Sequence, residues 1–176
     1  MIARTSASWL PRVFQDRHID QIGIVVPDLD EALTFYAEMF AADVWNIYTY
    51  DEAIVPFREF RGDPGQFSMR LALGGTAPQI ELIEPICGPS LYHEWIEERG
   101  YGLHHLGVFV PSVDEVITEM RDHGIAVLQR GSGYGLDGDG AFAYFATNDH
   151  MSTYIEAIEI PERRRPPERE FRRADR

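Results

Sequence analysis

The chain has 176 residues, 44% of them apolar and 12% aromatic, enough to bury a substantial core in one domain or in two small fused modules. Its 29 acidic residues outnumber 16 basic ones, and the net charge of −13 repels nucleic-acid phosphates and anionic membrane surfaces, which argues against either as a partner. Cys87 is the only cysteine, so an internal disulfide framework, a cysteine-based zinc site and a CxxC redox pair are excluded.

Residues 1–17 read as an N-terminal arm, mixing Arg, Ser, Trp9 and Pro11 without an apolar run of signal-peptide length. No later segment is long enough to span a bilayer, and a cytoplasmic location is expected. In residues 18–86 a β-rich run over 19–26 stops at Pro27, and a helix then begins. Asp28 and Glu31 have the N-cap and N3 spacing of a capping box, and Leu29, Leu33, Tyr36 and Phe40 recur at helical intervals. Strands are expected near 44–50, 67–73 and 79–84.

Residues 87–100 form a linker helix with Ser90 as its cap and Gly100 as its stop. Residues 101–160 then repeat the earlier order. A β-rich run over 103–110 ends at Pro111, Ser112 and Glu115 cap a helix, Val113, Ile117 and Met120 face its core, and strands follow near 126–129, 141–146 and 153–159. The segment RGSGYGLDGDG (130–140) carries five glycines between strands, so it opens no phosphate-binding helix; it reads equally as a mobile flap or a plain flexible hairpin. The tail, 161–176, holds seven Arg and three Pro and reads as a solvated or partner-docked extension.

Two internal matches organise the whole. DQIGIVVPDLDEAL (20–33) aligns without gaps on HHLGVFVPSVDEVI (104–117), and QIELIE (79–84) on YIEAIE (154–159), in the same order in each half. The expected fold class is α+β: two tandem βαβββ modules with curled mixed sheets forming a metal-lined cleft.

Strand side chains alternate faces, so Gln21 points away from Ile22 and Ile24, which face the following helix. His105 is its repeat partner with the same parity. Glu81 lies between Ile80 and Leu82, and Glu156 between Ile155 and Ala157, so both carboxylates also leave the helix-packed layer. Any one of the four alone is what an antiparallel sheet with a wet face would show. Recurrence at repeat-equivalent places calls for a shared reason, and an amide oxygen, an imidazole and two carboxylates suit one divalent cation. His18 and His104 have the opposite parity and read as structural or as supports behind the ligands; His93, His123 and His150 read as surface residues.

DQIGIVVPDLDEAL, QIELIEP, GLHHLGVFV and TYIEAIE resemble the motifs of the vicinal oxygen chelate superfamily over roughly residues 18–160. That superfamily includes glyoxalase I, methylmalonyl-CoA epimerase, extradiol dioxygenases and bleomycin-resistance proteins. GYGLHHLGV with QIELIEP looks most like the epimerase, although that family usually has His where this chain has Gln21. The Gln21, Glu81, His105, Glu156 set is similar to the zinc ligands of animal-type glyoxalase I. The resemblance implies a metal-dependent isomerase, epimerase or lyase that removes a proton next to a carbonyl, with Glu156 first and Glu81 second as base. It further implies one divalent ion (Zn, Co, Ni, Mn or Mg), a small carbonyl or thioester substrate, and a homodimer. Oxygen chemistry is disfavoured because Gln21 removes one of the two imidazoles that iron would use; a metal-free, ligand-sequestering protein is the alternative. Arg58, Arg61, Arg70, Arg99 and Arg130 are the expected candidates for binding a coenzyme A ester, and Trp45, Phe57, Phe60, Tyr134, Phe142 and Tyr144 are the aromatics expected around the cleft.

Overall fold

A computed structural model describes residues 11–40 and 42–173. The first half supplies β1 (Gln21–Val25), α1 (Leu29–Met39), β2 (Val44–Tyr50), β3 (Phe57–Phe60), β4 (Asp63–Pro64), β5 (Ser68–Gly74) and β6 (Gln79–Cys87). After α2 (Leu91–Arg99) come β7 (Gly102–Phe109), α3 (Val113–Asp122), β8 (Val127–Ser132), β9 (Ala141–Phe145), the short α4 (Asn148–Met151), β10 (Tyr154–Glu159) and β11 (Arg169–Arg172). All the strands join one mixed sheet in the order β11-β2-β5-β6-β1-β7-β10-β9-β8-β3-β4, curled into an open half-barrel. The repeat is visible in the pairing. β1 lies parallel to β6 and β7 parallel to β10, while β1 and β7 meet antiparallel at the centre and join the halves.

Each repeat helix starts as its capping residue dictates: Asp28 Oδ1 accepts from Glu31 N at 2.8 Å, and Ser112 Oγ from Glu115 N at 3.3 Å. The second glutamates of the QIELIE and YIEAIE motifs reinforce these ends. Glu84 accepts from Leu29 N and Glu159 from Val113 N, placing a carboxylate at the positive pole of each helix. One pair of repeat-related glutamates therefore has a structural purpose, and the other pair, Glu81 and Glu156, is left to be explained.

Three apolar clusters follow from strand alternation. Leu29, Leu33 and Ala37 of α1 cover Trp45, Ile47, Ala72 and Leu82, and Val113, Val116, Ile117 and Met120 of α3 cover Ala143, Phe145 and Ala157. The third fills the opposite, inner face with Tyr48, Tyr50, Met69, Leu71, Ile83, Tyr134, Phe142 and Tyr144, closed at one end by Tyr92 and Trp95 of α2. Trp45 thus belongs to the helix-covered layer, a correction to its expected place at the cleft, because its parity on β2 is opposite to that of Tyr48 and Tyr50.

Three features depart from the sequence reading. The β3–β4 hairpin was not expected; it extends from the first half to pair with β8 of the second. The Arg-rich tail, exposed along much of its described length, also forms a strand that was not expected: β11 lies against β2, where Glu168 accepts from Thr49 N and Oγ1 and Arg169 pairs with Asp30. Carboxylates far away in sequence give those arginines their folded positions. The expected N-terminal arm around Trp9 lies outside the described residues, while Val13 and Phe14 pack against the α3 cluster. No helix among the described residues is long and apolar enough to cross a membrane.

Candidate metal centre

Cross-strand register brings the four singled-out residues onto one face in two adjacent rows. Glu81 lies opposite Gly23, which lies opposite His105; Glu156 lies opposite Gly107, which lies opposite Gln21. Both glycines come from the repeated motif, and each occupies the space next to the other half's ligand. A Cβ on Gly23 would fall 1.8 Å from His105 Cε1, and one on Gly107 would meet Gln21 Cβ at 2.9 Å. The glycine shared by both copies is therefore what lets a polar side chain lie across the neighbouring strand.

The donors converge on His105 Nε2, with Glu156 Oε2 at 3.0 Å, Glu81 Oε2 at 3.3 Å and Gln21 Oε1 at 3.4 Å. All four residues are buried. One imidazole hydrogen cannot serve three oxygens, and Glu156 Oε2 has no aligned hydrogen-bond donor despite its burial. Gln21 is turned by its own amide, whose Nε2 donates to Gln79 Oε1 at 3.0 Å, leaving Oε1 toward the cluster.

The electrostatics describe a site short of positive charge. Burial alone would lower the His105 pKa, yet Glu156 and Glu81 together raise it to about 9. Burial raises the Glu156 carboxyl above its usual range, although His105 opposes this. Two buried carboxylates sharing one imidazolium leave a net negative charge, which is costly away from water. A divalent ion would balance it, and one imidazole nitrogen with three oxygens is a donor set that Zn, Co, Ni or Mn accept. Ligand atoms of Glu81, His105 and Glu156 lie within 4.8 Å of one another, close enough to share such an ion.

His104 corrects the parity argument. The register between β1 and β7 shifts between Gly23 and Ile24, and this bulge turns His104 toward the same aromatic wall as His105. It is fully buried among Tyr92, Trp95, Tyr144 and Tyr154, and its Nδ1 is 3.1 Å from His105 Nδ1. Burial drives its pKa well below the usual range, so it is neutral. Were His105 Nε2 to hold an ion, its proton would reside on Nδ1 and His104 Nδ1 would accept it, which would fix tautomer and ring orientation. Of the other histidines, His18 is exposed beside Asp20, and His93 Nδ1 bonds to the Ser90 cap at 2.8 Å.

The family model for the Glyoxalase/Bleomycin resistance protein/Dioxygenase superfamily matches residues 20–165. The chain belongs to this superfamily. Among curated relatives it is 23% identical over 141 residues to the uncharacterized protein YqjC of Bacillus subtilis, covering 80% of this chain and 91% of that one. Among solved structures, a methylmalonyl-CoA epimerase in complex with methylmalonyl-CoA and NH4+ matches with a TM-score of 0.61 and 24% identity, covering 85% of this chain and 99% of that one. The methylmalonyl-CoA epimerase from Mycobacterium tuberculosis matches with a TM-score of 0.55 and 25% identity, covering 81% and 86%.

Within this superfamily fold, the arginines expected to bind a coenzyme A ester are each engaged with a different group. Arg58 approaches Glu52, Arg61 pairs with Glu94, Arg70 with Asp30 and Glu84, and Arg130 with Glu59, while Arg99 lies over the Trp95 ring. Of the expected aromatics, Tyr134, Phe142 and Tyr144 line the inner face, Phe60 packs against it, and Phe57 is exposed. The sequence reading missed Tyr92, whose hydroxyl lies 2.9 Å from that of Tyr144. It also missed Arg164 of the tail, which lines a cavity with Tyr50 and Tyr134. Tyr92 was hidden in a helix of mixed composition. Arg164 was one of seven arginines in a tail read by composition alone.

Proposed function

We propose that the chain is a metal-dependent isomerase, epimerase or lyase that moves a proton on the carbon next to a carbonyl. The observation that carries this reading is the convergence of Gln21 Oε1, Glu81, Glu156 and His105 Nε2, with a buried Glu156 oxygen that has no aligned donor. A divalent ion held by these four residues would supply Lewis acidity to the carbonyl oxygen.

In this reading Glu156 takes the proton. Its carboxylate is buried, and burial makes it more basic than a solvated one, as a general base at neutral pH requires. Tyr144, its register partner on β9, is held in the protonated form by burial and by the nearby Glu156 charge, and so faces the site as a hydroxyl. Tyr92 and Tyr144, both buried, exclude bulk water from that side. Glu81, the repeat partner of Glu156, is the second group available for proton transfer. The substrate is a carbonyl compound or thioester of moderate size, a reading supported by the methylmalonyl-CoA in the complex of the similar epimerase.

Deuterium exchange into a panel of α-acidic thioesters and hemithioacetals, with the metal-loaded chain in heavy water, tests the proposal. At least one compound is expected to exchange, and Glu156→Gln to lose about 100-fold or more of that rate, the usual worth of a general base, while still taking up metal. Ligand binding without exchange anywhere in the panel would overturn this reading in favour of a sequestering protein. Exchange undiminished in Glu156→Gln would remove Glu156 from its role.

A further inference from the structure

The segment after β10 runs as a strap between the two halves. Leu136 N donates to Arg163 O, Gly135 bridges Arg164, and Arg163 pairs with Asp137, which fastens the strap to the glycine-rich segment 130–140. Beyond Pro166 it crosses to the first half, where Glu168 N donates to Ile47 O, β11 pairs with β2, and Arg173 reaches Asp43. A cavity of about 320 Å³ lies under the strap, lined by Tyr48, Tyr50, Tyr134, Arg164 and Arg165 and by Glu168, whose carboxylate oxygens accept from Thr49 N and Oγ1. Tyr48, Tyr50 and Tyr134 belong equally to the inner-face cluster, and the charges of Glu81 and Glu156 act on Tyr50 and Tyr134. The three tyrosines therefore join the cavity to the inner-face cluster that also holds Tyr144, the ring beside His105.

Charge pairing separates Arg164 from its neighbours. Arg163, Arg169 and Arg173 pair with carboxylates of other segments and hold the strap in place, and Arg172 pairs with Glu170 of its own strand. Arg164 and Arg165 form no ion pair among the described residues, and Arg165 Nε is buried without an acceptor. In a chain of net charge −13 with 29 acidic residues, two adjacent cations that form no ion pair among the described residues need a reason. Arg164 lines the cavity with Tyr48, Tyr50 and Tyr134, and its charge acts on their hydroxyls, which burial keeps protonated. A guanidinium among phenolic hydroxyls in a partly apolar cavity is a receptor for an oxyanion. The family match, residues 20–165, ends before β11, which anchors the strap.

We propose that this strap completes the substrate cavity with an anion subsite centred on Arg164, so that the carbonyl substrate of this chain carries a carboxylate or a phosphate. The substrate assignment rests on the proposed function; the anion subsite itself can be tested without it. Metal-free full-length chain is titrated by calorimetry with malonate and, separately, inorganic phosphate, with near-UV circular dichroism reporting the tyrosines. Saturable binding of one anion per chain is expected, with the tighter of the two identifying the source. Arg164→Gln should weaken it tenfold or more, as loss of one charge-assisted pair does, and Arg164→Lys should recover part of it. Metal uptake is measured on the same samples and should be unchanged in Arg164→Gln. Anion binding in a chain that takes up no metal would sink the proposed function and leave the subsite standing. Absent binding, or equal binding by parent and Arg164→Gln, overturns the subsite even where metal uptake and exchange are intact.

Discussion

Replacing Gly23 by alanine puts one methyl group where the His105 ring lies. The new Cβ would fall 1.8 Å from Cε1 and 2.2 Å from both Nδ1 and Nε2. Carbon atoms rest about 3.5 Å or more apart, so ring or strand must yield by roughly 1.7 Å. The ring has nowhere to go, being fully buried with Tyr144 at 5.1 Å and His104 at 5.3 Å between centroids. Metal bonds tolerate errors of only about 0.2 Å, so His105 could no longer serve as the proposed ligand. The expected outcome is a loss of metal affinity of about 100-fold or more, with about 1–3 kcal/mol of overpacking strain. Competition against a chelator measures the first and denaturant unfolding of the metal-free chain the second. Gly107→Ala provides a graded comparison, since its Cβ meets the flexible end of Ile158 at 2.8 Å and Gln21 Cβ at 2.9 Å, and should cost less on both counts. Parental affinity and stability in Gly23→Ala would refute the register between β1 and β7 on which the site is built.

Acidity should tune metal uptake through His105, whose pKa in the metal-free chain is about 9 because Glu156 and Glu81 together outweigh its burial. An incoming ion must displace that proton, so the apparent association constant should rise about tenfold per pH unit below pH 9 and then level off. The same raised pKa stabilises the metal-free fold fully below the ordinary histidine value and loses that contribution as pH rises through 9, so its unfolding temperature should fall across that window; a flat profile in both measurements would contradict the pairing. His104→Phe keeps the aromatic packing but removes Nδ1, and should weaken metal binding about 10–100-fold with the unfolding midpoint near the parent's; unchanged affinity would show that His104 only fills space.

Strand alternation and the internal repeat made the juxtaposition of four polar side chains readable in the sequence. Gln21 and His105 occupy equivalent positions, as do Glu81 and Glu156, and the period of two placed all four on the face that the helices leave open. His104 escaped that logic because one extra residue at a bulge reverses the parity beyond it. The β3–β4 hairpin escaped because its partner, β8, lies in the other half of the chain. β11 is the plainest case: REFR has no strand pattern of its own, and its conformation comes from the free edge of β2 and from Asp30 and Asp43. The distinction between Arg163, which holds the strap, and Arg164, which faces the cavity, exists only once Asp137 and Tyr48 are in place. Local pattern carries information about faces, while pairing between distant segments has to be seen.

The most direct test of the account is X-ray absorption at the metal edge of the chain repleted with zinc or cobalt, combined with elemental analysis. One ion per chain, ligated by a single imidazole and otherwise by oxygen, with the imidazole signal lost in His105→Ala, is the expected result. A chain that takes up no ion under repletion, or one whose ion keeps its imidazole in His105→Ala, would contradict the convergence of Gln21, Glu81, His105 and Glu156 on a shared metal.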